Sequence, residues 1–283
     1  MLPDIQDQRD ERGLPIQRVG IKDVRLPLTI RQRDGQLQTV QATVTLTVDL
    51  AAHKKGTHMS RFVAVLHEWR TQEVDASSLR ELLEAMKQRL GASYVDVILS
   101  FTYFVTKHAP VTGLASLLDY RVSLAAELDR HDQFRLLVGM EVPYTSLCPC
   151  SKEISDYGAH NQRGSLRVKL EVDPAHPALT LEDLGELLEA QSSCEVYPLL
   201  KRPDEKFVTE YAYDHPKFVE DILRDTVLAL REDPRVGWFE AEIENYESIH
   251  NHNAYAYHNE AWVQDGPAQP LVAKLMVLEG AGR

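Results

Sequence analysis

Cysteine is scarce in this chain of 283 residues, with Cys148, Cys150 and Cys194 as the whole complement. An odd and sparse set cannot build a disulfide framework. It fits a reducing compartment, where any cysteine chemistry comes from a thiol or thiolate. Long apolar runs are also lacking. None approaches the roughly 20 residues that a membrane-crossing helix needs. Residues 1–13 are polar and mixed in charge, with neither the apolar centre of a signal peptide nor the acid-poor composition of a transit peptide. The chain therefore reads as soluble and cytoplasmic. Positive charge is short as well: 31 Lys and Arg stand against 43 Asp and Glu, a formal net charge of −12. Proteins that bind nucleic acid broadly need clustered cations to displace phosphate counterions, so neither nucleic acid nor a membrane is an expected partner. A small anionic ligand stays open, because a basic pocket can sit inside an acidic protein.

What is present is enough apolar residue, 43%, to bury one large core or two modest ones. Val40, Ala42, Val44, Leu46, Val48 and Leu50 alternate with polar residues, the period of a strand with one buried face. Residues 19–30 are strand-like, and turn chemistry at Arg33-Asp-Gly-Gln36 predicts a hairpin. A helix is expected over 60–69. Another is expected over 78–90, with Leu79, Leu82, Leu83, Met86 and Leu90 on one stripe and Ser78 with Glu81 as its capping box. Strands over 94–107 and 119–128 complete a ββααββ order.

The second half repeats it. Strands are expected over 134–144 and through Leu166, Val168, Leu170 and Val172. Thr180 with Asp183 caps a helix carrying Leu184, Leu187 and Leu188, and a further helix opens near Pro216. Strands over 236–246 and 254–262 follow. The expected class is α+β, in two modules at 17–130 and 131–265 between tails at 1–16 and 266–283, the alternative being two independent layers or one mixed domain. An antiparallel sheet with helices on one face leaves its other face and edges to be covered, which predicts association.

Three segments carry the densest chemistry. The first, between two expected strands, holds Cys148, Cys150, Lys152, His160, Gln162 and Arg163. Cys-x-Cys without a second pair is the wrong spacing for a closed structural zinc site, and one thiolate with His and carboxylates suits an open catalytic site better. The second, Tyr197-Pro-Leu-Leu-Lys201-Arg202-Pro-Asp204-Glu205-Lys206, is expected as a loop between helices. It is either a solvated charge run or a metal-binding carboxylate beside two phosphate-binding cations. The third places Glu247, His250 and His252 at a strand end, donors suited to zinc, iron or manganese. Glu220, behind apolar Phe218 and Val219, is either an ordinary solvent-facing helix acid or a ligand-reading carboxylate.

These segments resemble the type IB GTP cyclohydrolases, a family with the tunnelling fold. The resemblance rests on Cys148-Pro-Cys-Ser-Lys152, Gly158-Ala-His160-Asn-Gln-Arg163, Lys201-Arg-Pro-Asp-Glu205, Phe218-Val-Glu-Asp221 and Asn245-Tyr-Glu-Ser-Ile-His250-Asn-His252, five blocks in order within the second half. It implies conversion of GTP and water to 7,8-dihydroneopterin triphosphate and formate, the first step of tetrahydrofolate synthesis. It also implies one divalent metal (Zn, Mn or Fe) and a homotetramer with active sites at subunit interfaces. Cys148 and His160 then belong to a metal site to which Glu205, Glu247 and His250 contribute as ligands or nearby contacts, and Glu220 is the guanine-anchoring acid. Lys152, Arg163, Lys201 and Arg202 are triphosphate candidates by charge alone. Two rivals remain. One is a nitrile reductase of the queuosine pathway, whose Glu-Ser-Lys-Ser-type cofactor motif is not found here. The other is a non-catalytic metal- or nucleotide-binding protein.

Overall fold

A computed structural model describes residue 6, residues 8–173, residue 176 and residues 178–261. The expected tail at 266–283 and the end of the strand expected to reach Trp262 lie outside those residues. Alternation builds the first half as expected. β1 (Ile16–Arg31) and β2 (Leu37–Leu50) form an antiparallel hairpin in which Leu28 faces Val40 and Leu26 faces Ala42. The apolar set of β2 from Val40 to Leu50 is buried on one face. α1 (Met59–Trp69) and α2 (Ala76–Leu90) follow, then β3 (Val95–His108) and β4 (Ala115–Leu128). Leu79, Leu82, Leu83, Met86 and Leu90 form the buried stripe of α2.

The cap of α2 differs from expectation. Asp75, not Ser78, is the N-cap: its Oδ1 accepts from Ser78 N at 2.7 Å, and Ser78 Oγ accepts from Asp75 N at 3.0 Å. A carboxylate three residues earlier outcompetes the hydroxyl for the unpaired amide, and the helix gains its first turn.

The second half runs β5 (Phe134–Leu147), α3 (Pro149–Ile154), β6 (Asn161–Val172), α4 (Leu181–Glu189), β7 (Cys194–Glu195), α5 (Arg202–Asp214), α6 (Val219–Glu232), β8 (Val236–Asn245) and β9 (Ala254–Asn259). Thr180 caps α4 as expected, accepting from Asp183 N at 3.1 Å. Two expectations fail. The segment around Lys201–Glu205 is no loop: Pro203 sits in the first turn of α5, and the Asp204 carboxylate accepts from Lys201 N at 2.9 Å, which starts a helix. The final helix begins at Val219, not Pro216. Lys217 N donates to Leu147 O at 3.1 Å, holding that stretch out of the helix, and Asp221 accepts from Phe218 N at 3.1 Å.

The nine strands make an antiparallel sheet in the order β1-β2-β3-β4-β5-β6-β8-β9, with β7 paired to β5. Two compact units are distinguished, one of the described residues up to Phe101 with Ser123–Leu137, the other of Thr102–Val122 with the described residues from Val138 onward. In the first, Phe62, Leu66 and Trp69 of α1 are buried beside the α2 stripe. In the second, Ile222, Val227 and Leu230 of α6 are buried where that helix packs on β8, with Phe239, Ala241 and Ile243 beneath it. No described helix is long and apolar enough to cross a membrane.

Asp49 ties the end of β2 to the start of β3. Its Oδ1 accepts from Ser93 N at 2.7 Å and Tyr94 N at 2.8 Å, and its Oδ2 accepts from Ser93 Oγ at 2.5 Å. Partial burial opposes the charge, but these donors outweigh it and hold the carboxyl below its ordinary value of 3.8. A depressed folded pKa adds stability that is present above the unfolded value and disappears as pH falls through the folded one. The stability difference between wild type and Asp49→Asn is therefore expected to shrink as pH drops below 3.8, measured by urea unfolding. A pH-independent difference would contradict it.

Candidate functional site

The site lies within the second unit and starts where β5 ends. Cys148, half-buried, follows Leu147 and caps α3, its Sγ accepting from Ser151 N at 3.4 Å. Cys148 N donates to His160 O at 3.1 Å, so the turn through α3 returns the chain to the start of β6 beside the cysteine. Ser151 fastens both ends: its hydroxyl donates to Cys148 O at 3.1 Å and accepts from His160 N at 3.2 Å.

A pocket of about 210 Å³ opens here, with Cys148, Gln162, Glu220 and Glu247 on its walls. Phe218 and Val219 give it an apolar side, while Ser146 and Asn245 add buried polar groups. Those two are wired. Tyr144 Oη donates to Asn245 Oδ1, Asn245 Nδ2 donates to Ser146 Oγ at 3.1 Å, and Ser146 Oγ donates to Lys217 O at 3.0 Å. Burial pushes the Tyr144 phenol far above its ordinary value, which keeps it a donor. Lys217 spends its charge on Asp225, at 2.8 Å, and on Gln191 O.

Gln162, 8% exposed, joins two of the expected residues. Its Oε1 lies 2.8 Å from His160 Nδ1, and its Nε2 donates to Glu247 Oε1 at 3.4 Å. Cys148, Glu220 and Glu247 thus line one pocket, and His160 is joined to it through Gln162. Others are not. His250 is exposed and stacks on His252 with ring centroids 5.1 Å apart. Glu205, Lys201 and Arg202 are exposed at the start of α5, and Arg163 is exposed on β6. Lys152 donates to Tyr213 O at 2.5 Å and sits over the Tyr213 ring.

The neighbour of Glu205 explains how that helix start is held. Asp204 is fully buried and accepts from Val111 N at 2.9 Å and Thr112 N at 2.8 Å as well as from Lys201 N. Burial opposes its charge, yet the Thr112, Lys201 and Val111 donors lower its pKa to about 2. The other cysteines lack such a setting. Cys150 is exposed, and burial pushes the Cys194 thiol up to about 11.

Thiol, imidazole and carboxylate are the donors that Zn, Mn or Fe accept. Cys148, Glu247 and His160, whose Nδ1 is taken up by Gln162, offer donors of these kinds. Among the described residues, however, no three His, Cys, Asp or Glu side chains converge closely enough to hold a metal within one chain. The polar wiring of Gln162, Asn245, Ser146 and Tyr144 is what reading along the sequence misses. The one signal for it is polar residues at alternate positions of strands that otherwise bury apolar side chains.

Comparison with known proteins completes the picture. The family model of type I GTP cyclohydrolase folE2 matches residues 2–256. GTP cyclohydrolase FolE2 of Paraburkholderia phymatum is 52% identical over 256 residues, covering 90% of this chain and 94% of that protein. The protein of the same name from Nitrosococcus oceani is 49% identical over 255 residues, covering 90% and 94%. Among solved structures, uricase from Arthrobacter globiformis superimposes with a TM-score of 0.53 at 8% identity, covering 96% of this chain and all of that one. Uricase from Bacillus fastidious gives 0.52 at 9% identity over 88% and 93%. At such identities the likeness concerns the fold alone, the antiparallel sheet and helices of the tunnelling fold. With its family model spanning nearly the whole described length and relatives about half identical across 90% of it, this chain belongs to the type I GTP cyclohydrolases of the FolE2 family.

Proposed function

We propose that this chain is a cytoplasmic GTP cyclohydrolase that converts GTP and water to 7,8-dihydroneopterin triphosphate and formate, the first step of tetrahydrofolate synthesis. The observation that carries the reading is a single pocket with a thiol at Cys148, a His160–Gln162–Glu247 chain and an acid at Glu220. Two additions of water at C8 open the imidazole ring and release formate, and closure of the pterin ring expels one water, so one is consumed overall.

Each of this chain's residues has a task in that sequence. Glu220, in the first turn of α6, accepts from guanine N1–H and the exocyclic amine, and the helix N-terminus favours its negative charge. Adenine lacks that donor pair, so ATP is rejected. His160 or His250 moves protons to the ring nitrogens as the C–N bonds break. Lys152, Arg163, Lys201 and Arg202 meet the triphosphate, Lys152 after leaving Tyr213.

Cys148 and His160 hold a divalent cation of the Zn, Mn or Fe class, with donors from among Glu205, Glu247 and His250. The cation supplies Lewis acidity that makes water a nucleophile at neutral pH. Because the described residues of one chain do not gather three donors, the remaining carboxylate or imidazole comes from a second copy, in a homotetramer with sites at its interfaces. The repeat boundaries at residues 17–130 and 131–265 belong to the same reading.

Incubating the purified protein with GTP and Mn²⁺ or Zn²⁺ should yield pterin fluorescence after oxidation, with one formate per turnover. NADPH-dependent nitrile reduction without pterin, or stoichiometric GTP binding without formate, would overturn the assignment. Glu220→Ala is expected to keep its metal and lose about 10³-fold in kcat/KM, the value of two charge-assisted hydrogen bonds. An unchanged preference for GTP over ATP in that variant would remove Glu220 from base recognition.

A further inference from the structure

We propose that Glu247, acting through the side-chain amide of Gln162, sets the tautomer of His160, placing the proton on Nδ1 and leaving the lone pair on Nε2. The argument is one of hydrogen-bond polarity. An ionised carboxylate has only acceptors, so the group that Gln162 turns toward Glu247 Oε1 must be its NH₂, as found at 3.4 Å. The amide oxygen then points the other way and lies 2.8 Å from His160 Nδ1. A carbonyl oxygen can only accept, so Nδ1 carries the hydrogen, and the neutral ring keeps its free pair on Nε2.

The reverse amide orientation sets two acceptor oxygens against each other at Glu247. It also directs an N–H at Nδ1, which moves the ring proton to Nε2 and closes that nitrogen to a metal or an incoming proton. Gln162 is nine-tenths buried, so solvent does little to soften that penalty. The ring cannot escape by rotating as a unit with its backbone, because His160 N is bonded to Ser151 Oγ and His160 O to Cys148 N. Gln162 is thus a positioning residue, and Glu247, besides being a candidate donor, orients that amide through its Oε1. This inference rests on His160 being a site residue of the function proposed above.

The test reads the metal-free protein directly. Histidine-selective ¹⁵N labelling, with pH raised until the His160 signal no longer moves, shows which nitrogen of His160 is protonated, with His160→Ala identifying the signal. The expected result is the Nδ1–H form in the wild type. Gln162→Glu keeps an acceptor at Nδ1 and should keep that form. Gln162→Leu removes the acceptor and should give a mixture, as should Glu247→Gln, whose amide accepts either orientation of Gln162. As a second readout, Co²⁺ affinity followed by thiolate-to-cobalt absorption should fall about 10- to 100-fold in Gln162→Leu. An Nε2–H form in the wild type, or an unchanged Nδ1–H form in both Gln162→Leu and Glu247→Gln, would overturn the proposal. If Gln162→Leu fails to fold, the wild-type and Glu247→Gln spectra still decide. Co²⁺ affinity unchanged in His160→Ala would strike the metal-site reading instead, a result distinct from the tautomer measured without metal.

Discussion

Cys148→Ala is expected to lose its bound metal and about 10⁴-fold or more of kcat, because unassisted water at neutral pH attacks a poorly electrophilic carbon. The thiol is built into its place: it caps α3, receives Ser151 N–H, and shares a backbone hydrogen bond with His160. A serine or alanine there can preserve the fold and still remove the soft donor. Cys150→Ala provides the contrast, since that thiol is exposed and absent from the pocket walls, and it should retain near wild-type turnover. Cys194 cannot substitute, because burial keeps it protonated up to about 11. The same experiment examines the shared site. The proposed sharing of the site between copies predicts that Cys148→Ala and Glu205→Ala protomers, inactive separately, recover part of the activity when unfolded together and refolded, since some interfaces would then carry both native residues. Metal analysis and pterin fluorescence are the readouts. Full activity in Cys148→Ala would remove the thiol from the site, and failure of the mixture to recover would remove the second copy.

Gly164→Ala should cost more than about 3 kcal/mol, the upper end of ordinary overpacking. The position is on β6 opposite Asn245 of β8. A methyl group there would lie 2.3 Å from Tyr144 Cζ, 2.4 Å from its hydroxyl and 2.7 Å from Glu244 O. Tyr144 is fully buried and its hydroxyl is committed to Asn245, so the ring has nowhere to move, and the backbone oxygen belongs to the neighbouring strand. The strain falls on the strand that carries Gln162 and on the residue that fixes Ser146, so activity should drop along with stability. Thermal unfolding should move down by about 5 °C or more for a chain of this size. Gly237→Ala makes a fair comparison, since its added carbon would meet Glu171 O at 3.4 Å and Glu171 Cβ at 3.9 Å, both ordinary contacts, and it should change stability by less than about 0.5 kcal/mol. Equal effects at the two glycines would show that the Tyr144 contact is not the cause.

Local patterns were legible where one physical rule acted alone. The alternation of Val40 to Leu50 and the stripe from Leu79 to Leu90 placed β2 and α2, since a period of two or of 3.6 leaves a single way to bury those residues. Boundaries failed where two groups competed for the same amide or where a distant residue intervened. Asp75 displaced Ser78 as a cap, and the bond from Lys217 to Leu147 delayed α6 past Pro216. The loop expected around Lys201 became a helix because Asp204 could be buried against Val111 and Thr112, a contact no local window contains.

By itself, the sequence determined an α+β chain with a ββααββ opening, a sparse and odd set of cysteines, and residue types able to ligate a metal. These follow from periodicity, charge and donor chemistry, all of which are local. Only the tertiary structure decided that Cys148, Gln162, Glu220 and Glu247 share one pocket while Glu205 and His250 stand apart from it, and that an uncelebrated glutamine joins His160 to Glu247. The physical reason is that convergence depends on strand register and on where buried polar groups find partners. Both are settled by pairing across the sheet between residues far apart in the chain.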